Sequence, residues 1–248
     1  MTPDRVTVWL VPVAVPAAAR PALAVLLDDA ERDRAAALHE PADRHRYLAA
    51  HAAARLIVAD RLGTAPAALR WRYGPQGKPE LAEPRTGLRV NLSHCGGYAV
   101  VALCDGRDVG VDLHRVTAVP DVTRLAARFF PAAEARHVAA GPDPGTRADR
   151  YAELWVRKEA AVKAAGGRLA QGLRVPVRGA AVVAVPGADG SAARPYRLAG
   201  VPAPDGYRAA VALAGDPEFT VDPRRWSWPA PVPVVAAPAA RCTTAGHG

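Results

Sequence analysis

Apolar residues recur along the chain at two periods, and these periods predict both helices and strands. Helical spacing covers residues 28–38, 43–62, 121–130, 132–140 and 147–165. Shorter β-rich runs lie at 6–11, 71–73, 98–103, 109–113, 179–185, 196–198 and 207–213. Because helices and then strands occur in each half of the chain, we expect an α+β, or mixed α/β, fold.

The stretch from residue 98 to residue 115 carries a pattern typical of a β-hairpin. Two apolar runs, 98–103 and 109–113, flank the turn residues Asp105 and Gly106. Side chains alternate between the two faces of a strand, so Asp112 and His114 are expected to share one face with Gly110. A carboxylate and an imidazole therefore lie side by side.

Polar residues precede this predicted hairpin. The segment 91–97, with sequence NLSHCGG, is predicted to be a turn that leaves a strand. It offers the hydroxyl of Ser93, the imidazole of His94 and flexible backbone amides, a combination that suits a phosphate group.

Changes in pattern along the chain predict its organisation. We expect an N-terminal α/β subdomain at 1–108 and a C-terminal one at 109–228. Residues 229–248 are rich in proline and alanine without periodicity, which predicts a disordered tail.

Charge and cysteine content narrow the class of protein. The 248 residues include 32 Lys and Arg against 24 Asp and Glu, a net charge of +8. Such a surface favours nucleic acid, anionic lipid, acidic proteins or polyphosphate ligands. Three cysteines, Cys95, Cys104 and Cys242, are too few for a disulfide framework, and no apolar run has the length of a bilayer. We therefore expect a soluble, cytoplasmic protein.

Lysine is rare in a chain that prefers arginine. The three lysines are Lys78, Lys158 and Lys163, so 32 − 3 leaves 29 arginines. A compact ammonium can serve where a planar guanidinium does not, although chance placement is the alternative.

Two of the lysines lie on the longest predicted helix of the second half. Trp155, Glu159 and Lys163 are spaced by four residues and so lie along one helix face. Taken alone, a Glu–Lys pair at this spacing is explained by helix stabilisation of about 0.2–0.5 kcal/mol.

Several motifs together carry more information than this pair. Ser93-His94, Gly110-x-Asp112 and Trp155-x-x-Lys158-Glu159-x-x-x-Lys163 occur in this order, and the set resembles the Sfp-type 4′-phosphopantetheinyl transferases. The segments Gly77-Lys78-Pro79 and Arg128-Phe129-Phe130, the latter followed by Glu134, are similar to further motifs of that family. The motifs span roughly residues 40 to 175 and include all three lysines, which argues against chance placement.

The resemblance implies an activity. Family members transfer the 4′-phosphopantetheine arm of coenzyme A (CoA) to a serine of an acyl or peptidyl carrier protein and release adenosine 3′,5′-bisphosphate. It also implies a fold of two similar subdomains in a pseudo-twofold arrangement, with CoA in the cleft between them, and a monomer dependent on Mg²⁺. The carriers served by the family belong to fatty acid, polyketide and nonribosomal peptide synthesis.

The resemblance also implies roles for individual residues. Asp112 and Glu159 would ligate Mg²⁺, a hard cation that takes one or two carboxylates together with phosphate oxygens. Glu159 would be the general base for the carrier serine, and Lys163 would stabilise the diphosphate, so the expected catalytic set is Glu159, Lys163 and Asp112. The expected CoA-binding residues are Arg46, Lys78, Pro79, Ser93, His94, Lys158 and Lys163.

One position departs from the common pattern of the family. Many members have Asp-x-Glu where this chain has Asp112-Leu113-His114. Imidazole is a poor Mg²⁺ ligand, so His114 is a doubtful third ligand. Either the metal is held by Asp112, Glu159, CoA phosphate and water, which we favour, or activity is impaired.

Two other function classes stay open. The 29 arginines are compatible with a nucleic-acid-binding protein, although only 6% of residues are aromatic and no zinc-like or RNA-binding motif occurs. A relative that binds CoA or a carrier without turnover is the other, and His114 is the feature that favours it.

Overall fold

Ten strands and seven α-helices form within residues 4–118, 121–187 and 191–229, which are the residues described in this computed structural model. The strands are β1 (Asp4–Pro12), β2 (Arg70–Tyr73), β3 (Pro79–Glu83), β4 (Leu88–Cys95), β5 (Tyr98–Asp105), β6 (Val109–Arg115), β7 (Val182–Val185), β8 (Arg194–Val201), β9 (Tyr207–Ala214) and β10 (Phe219–Arg225). The helices are α1 (Arg20–Leu26), α2 (Asp29–Ala36), α3 (Pro41–Leu62), α4 (Val122–Phe129), α5 (Ala132–Ala139), α6 (Pro144–Ala165) and α7 (Leu169–Gly172).

Two four-stranded sheets form the centre of the molecule. The first has the strand order β10-β1-β5-β4 and the second has the order β6-β9-β8-β7, while β2 and β3 make a separate two-stranded sheet. All neighbouring strands in these sheets are antiparallel except β1 and β10.

The two halves repeat the same order of elements. Each has a first strand, two shorter helices, a helix of 22 residues and then a hairpin that pairs with the first strand. Both long helices have proline in the first turn and end at a glycine in the left-handed conformation, Gly63 at φ 61° and Gly166 at φ 69°. The expected mixed α/β fold with two similar halves is confirmed.

The two sheets pack face to face between two layers of helices. Strand β5 shows this most clearly, because Ala99, Val101 and Leu103 pack with α3 in one core. The alternate residues, Val100 and Ala102, pack against β6 and β9 in a second core between the sheets. With both faces covered, the strand has an uninterrupted apolar sequence.

The predicted hairpin between residues 98–103 and 109–113 is wrong. Strand β5 belongs to the first sheet and β6 to the second, so the Asp105-Gly106 segment carries the chain from one sheet to the other. Strand–turn–strand spacing indicates a reversal of the chain, and this spacing is the same whether the second strand pairs with the first or joins another sheet.

The predicted polar turn at 91–97 is also largely wrong. Residues 91–95 complete β4, which pairs in regular register with β5, and only Gly96 and Gly97 form the turn. Asn91 and Ser93 are buried in the strand because each has a polar partner on β6. Because polar residues occupy these buried positions, the sequence lacks the alternation of apolar and polar residues that predicts a strand.

The division into two subdomains at residue 108 stays a prediction. Strand β10 lies after this boundary in the sequence but pairs with β1 in the first sheet, so the first sheet contains residues from both sides of the boundary. Beyond Pro229, the predicted disordered tail lies outside the described residues. Of the helices described, none combines the length and the hydrophobicity that crossing a bilayer requires.

Candidate active site

Strand β6 and helix α6 approach each other closely at Gly110. A Cβ atom on Gly110 would lie 2.1 Å from the Ala160 carbonyl oxygen and 2.3 Å from the Ala164 nitrogen. Only glycine therefore allows the helix backbone to rest on the strand at this point. Asp112 and His114 follow on the same face of the strand.

Asp112 joins the two halves of the molecule. Its Oδ1 accepts a hydrogen bond of 2.7 Å from the Ser93 hydroxyl on β4. The same oxygen forms an ion pair of 2.6 Å with Lys163 Nζ on α6. Lys163 also donates to Ser93 Oγ over 3.0 Å. Because Asp112 and Ser93 are both buried, these charged and polar groups compensate one another away from water.

Glu159 lies one helical turn before Lys163 and responds to the same groups. Burial and, to a smaller extent, the negative charge of Asp112 raise the pKa of its carboxyl to about 6, against the opposing effect of Lys163. Because both Asp112 and Lys163 change the pKa of Glu159, the two carboxylates and the ammonium lie close to one another.

The two carboxylates fit a hard divalent cation. The negative charge of Asp112 disfavours the ionised form of Glu159, a repulsion that a bound cation relieves. Within the described ranges, no group of three or more His, Cys, Asp or Glu side chains is arranged to hold a metal. Mg²⁺ needs only one or two carboxylates when phosphate oxygens and water complete its shell.

His114 contacts an aromatic side chain. Its ring centroid lies 5.8 Å from that of Trp155, and burial lowers the pKa of the imidazole despite the opposing charge of Asp112. The lowered pKa favours the neutral imidazole beside Asp112, and within the described residues half-buried His114 forms no three-ligand cluster with Asp112 and Glu159.

Lys78 reaches the same helix from the first half of the chain. Its Nζ donates to the Ala164 carbonyl over 3.0 Å, in the last turn of α6 and one residue from Lys163. Burial lowers the pKa of Lys78. Pro79 follows as the first residue of β3 and limits the backbone of this loop.

His94 points to the other side of β4 from Ser93, toward α3. Its ring meets Tyr47 edge-on at 6.3 Å, and Tyr47 in turn stacks on His51 at 3.9 Å. Burial lowers the pKa of His94 to about 4, with smaller contributions from the positive charges of His51, Lys163 and Arg46. Within the part of the chain described, its Nδ1 has no hydrogen-bond partner.

Arg46 holds the turn that follows His94. Its Nε donates to the Gly96 carbonyl over 3.1 Å, and its Nη1 pairs with Asp43 at 2.7 Å. A guanidinium thus lies beside the turn between β4 and β5.

The structure separates Lys158 from the rest of the predicted set. Its side chain is fully buried on another face of α6, where Nζ pairs with Glu134 at 2.6 Å and donates to the Val175 carbonyl. The ammonium also lies 4.8 Å from the centre of the Phe130 ring. A group enclosed in this way does not reach a ligand, so the predicted binding role of Lys158 is not supported.

Two residues that hold the backbone around the site, Asn91 and Tyr207, are not predicted from the sequence. Asn91 Oδ1 accepts the Val111 backbone N–H over 2.8 Å, and the Tyr207 hydroxyl accepts the Gly97 N–H over 3.0 Å. Asn91 lies two residues before Ser93, so its polar character in a strand was an available signal. Tyr207 is distant in sequence, and no local pattern identifies it.

The first half lacks an equivalent set of reactive groups. Counted from the first residue of each long helix, Glu159 and Lys163 correspond to Leu56 and Asp60 on α3 (159 − 144 = 56 − 41, and 163 − 144 = 60 − 41). Glu159 and Lys163 therefore have no counterpart of the same chemistry on α3.

Comparison with known proteins gives a consistent result. The family model described as "4'-phosphopantetheinyl transferase superfamily" matches residues 108–205. The 4′-phosphopantetheinyl transferase HetI of Nostoc sp. strain PCC 7120 is 30% identical over 227 residues, which cover 91% of this chain and 93% of HetI. A phosphopantetheinyl transferase of Thraustochytrium sp. is 32% identical over 187 residues, covering 69% of this chain and 65% of the relative. The 4′-phosphopantetheinyl transferase of Bacillus subtilis is 29% identical over 148 residues, covering 59% and 62%.

Proposed function

The chain belongs to the 4′-phosphopantetheinyl transferase superfamily, and from this we propose that it transfers 4′-phosphopantetheine from CoA to a serine of an acyl or peptidyl carrier protein. Its predicted class, a transferase of this family, is confirmed by the same matches. The observation that carries the finer proposal is the meeting of Asp112, Glu159 and Lys163 at one place, with Ser93 joining them from the other half.

The reaction requires a base and cationic groups. The carrier serine oxygen attacks the phosphorus that bears pantetheine, and the P–O bond to the departing adenosine 3′,5′-bisphosphate breaks. The serine proton passes to Glu159, directly or through water. In the absence of bound metal the Glu159 carboxyl has a pKa of about 6, so it is ionised at neutral pH and accepts a proton readily, which suits this role.

Positive charge on this chain neutralises the diphosphate. Mg²⁺, which Asp112 and Glu159 would hold, supplies charge compensation to the phosphate oxygens. Lys163 provides an ammonium at the same place, and Lys78 provides a second one at the end of α6. Positioning of this kind, more than covalent chemistry, is what phosphoryl transfer needs from a protein.

The remainder of CoA is assigned to the first half. Ser93 and His94 lie on opposite faces of the end of β4, Arg46 lies beside the following turn, and Pro79 limits the loop that carries Lys78. A neutral His94 donates or accepts a hydrogen bond, and Arg46 pairs readily with phosphate. Lys158 is not included, because its ammonium is enclosed by Glu134 and Val175.

The proposal extends to partners and setting. The net charge of +8 complements both polyanionic CoA and acidic carrier proteins, and we propose that the protein acts as a cytoplasmic monomer. Carriers of fatty acid, polyketide and nonribosomal peptide synthesis are the candidate substrates.

The decisive experiment is incubation of the protein with CoA, Mg²⁺ and a panel of apo carrier proteins, followed by intact mass spectrometry of each carrier. We expect a mass gain of one phosphopantetheine that EDTA abolishes. Glu159→Ala is expected to lower the rate by about 10²–10⁴-fold, as loss of a general base does. The matched control is Asp60→Asn, at the position on α3 that corresponds to Lys163, with an expected change of less than about twofold because surface substitutions away from such features have small effects.

A different result would select among the alternatives. CoA binding by calorimetry without mass gain on any carrier would favour the non-catalytic relative and direct attention to His114. Retention on DNA with the salt dependence seen for CoA would favour the nucleic-acid-binding protein.

A further inference from the structure

Every hydrogen-bond donor of Lys163 is already used within the chain. An ammonium group has three N–H donors. Its Nζ contacts Asp112 Oδ1 at 2.6 Å, Ser93 Oγ at 3.0 Å and the Val111 carbonyl at 3.4 Å. The lysine therefore gives up at least one of these contacts whenever it donates to a phosphate oxygen.

Asp112 is engaged to a similar degree. The same oxygen, Oδ1, receives the Ser93 hydroxyl and the Lys163 ammonium, and the residue is only 5% exposed. A divalent cation that binds without a diphosphate would bind a carboxylate whose charge Lys163 already compensates. It also meets a positive charge close to the oxygen it would bind.

We infer that Lys163 is the resident counter-cation of Asp112 and competes with a divalent cation for it. The metal then binds well only together with a diphosphate, since the diphosphate offers the ammonium another partner. This inference rests on the proposed function for the identity of the diphosphate, but the competition itself concerns only this chain and the metal.

A lysine that served solely as a phosphate ligand would behave differently. Its removal would weaken CoA binding and leave the affinity for metal alone unchanged. Competition predicts that removal of the ammonium tightens the binding of metal alone, because Asp112 is then left uncompensated beside Glu159.

The test is a titration of the full chain with Mn²⁺ alone, without CoA or carrier, followed by electron paramagnetic resonance. Lys163→Met is expected to bind Mn²⁺ at least about tenfold more tightly than the wild type, the effect of losing one nearby unit charge at a partly screened site. Added CoA is expected to tighten Mn²⁺ binding in the wild type, and to do so less in Lys163→Met, where no ammonium has to move.

Two matched variants separate charge from side-chain loss. Lys163→Arg keeps the positive charge and is expected to bind Mn²⁺ no more tightly than the wild type. Arg61→Met removes a positive charge that pairs with Asp105 on the exposed surface, so its Mn²⁺ affinity is expected to change by less than about twofold. Circular dichroism verifies folding, and Lys163→Gln replaces the methionine variant if that one does not fold.

Unchanged or weaker Mn²⁺ binding in folded Lys163→Met or Lys163→Gln would overturn the inference. Because the titration with Mn²⁺ alone involves no CoA, carrier or turnover, failure of the proposed reaction would appear separately in the mass assay. Tighter Mn²⁺ binding by a protein that modifies no carrier would support the competition and count against the transferase reaction alone.

Discussion

The two halves of the molecule place a buried cation at the same position of their long helices. Arg55 lies fourteen residues after Pro41, and Lys158 lies fourteen residues after Pro144 (55 − 41 and 158 − 144). Both side chains are essentially inaccessible to solvent. Each pairs at 2.6 Å with a glutamate on the short helix that precedes the long one, Glu31 in the first half and Glu134 in the second.

The cations also serve the same purpose in the two halves. Arg55 donates to the carbonyls of Pro66 and Leu69, which follow α3, and Lys158 donates to the carbonyl of Val175, which follows α6. Each pair thereby ties three consecutive parts of its half together: the short helix, the long helix and the segment beyond it.

The halves differ at the next residue of the helix. Glu159 follows Lys158, whereas apolar Leu56 follows Arg55. The pair that holds the fold is therefore present twice, and the reactive carboxylate only once. Lys158 is next to Glu159 in sequence, yet the comparison with Arg55 assigns it to the scaffold.

Breaking either buried pair is expected to have the largest effect on stability. Arg55→Met and Lys158→Met should each lower the free energy of unfolding by about 3–5 kcal/mol, because Glu134 loses the cation it is buried with and Glu31 is left with His51, at 3.0 Å, in place of Arg55. The exposed ion pair between Arg61 and Asp105 is the control, and Arg61→Met should cost less than about 1 kcal/mol. Urea denaturation followed by fluorescence provides the measurement.

CoA affinity tells the two possible roles of Lys158 apart. A scaffold residue predicts that folded Lys158→Met binds CoA within a few-fold of the wild type under conditions that keep it native. Wild-type stability combined with a large loss of CoA affinity would instead make Lys158 a ligand and remove its equivalence with Arg55.

Much of this fold follows from local patterns. The sequence predicts five of the seven α-helices described, α2 to α6, close to their observed bounds, because apolar spacing and a terminal glycine act within one element. It does not predict the short helices α1 and α7. The hairpin at 98–113 was predicted wrongly because the pairing partner of β6 is β9, about a hundred residues further along the chain. Local residue choice does not encode which distant strand will pair.

The site shows the same division between local and distant information. Asp112, Glu159 and Lys163 were identified from motifs, and the structure brings them together through the close approach that Gly110 permits. The face to which Lys158 points depends on contacts with Glu134 and Val175. The position of Lys158 next to Glu159 in the sequence therefore predicts a CoA-binding residue, but its burial in the structure does not support that role.

The halves also differ in how acidity should affect them. Burial lowers the pKa of His94 on β4 to about 4, and burial raises the pKa of Glu159 on α6 to about 6. As pH falls from 6.5 to 4, the unfolded chain takes up a proton at His94 that the folded chain refuses, so stability is lost. As pH rises from 4.5 to 6, the folded chain retains a proton at Glu159 that the unfolded chain releases, so stability is also lost.

Two variants measure these opposite contributions in EDTA. His94→Gln should remove at most about 3 kcal/mol of the stability loss between pH 6.5 and 4, and Glu159→Gln should raise stability at pH 7 by at most about 2 kcal/mol. Urea titrations at a series of pH values provide the comparison with wild type. Parallel curves for His94→Gln and wild type would show that His94 is protonated equally in both states.

The smallest expected effect concerns His114, which lies in the second half beside Asp112 and packs against Trp155. His114→Glu places a third carboxylate on the face of β6 that carries Asp112, and we expect a few-fold lower Mg²⁺ concentration for half-maximal activity, because hard oxygen ligands suit Mg²⁺ better than imidazole. His114→Gln is the control, since it offers a neutral side chain of similar length. If His114→Glu gave the same Mg²⁺ titration as His114→Gln and the wild type, the side chain at position 114 would not face the cation.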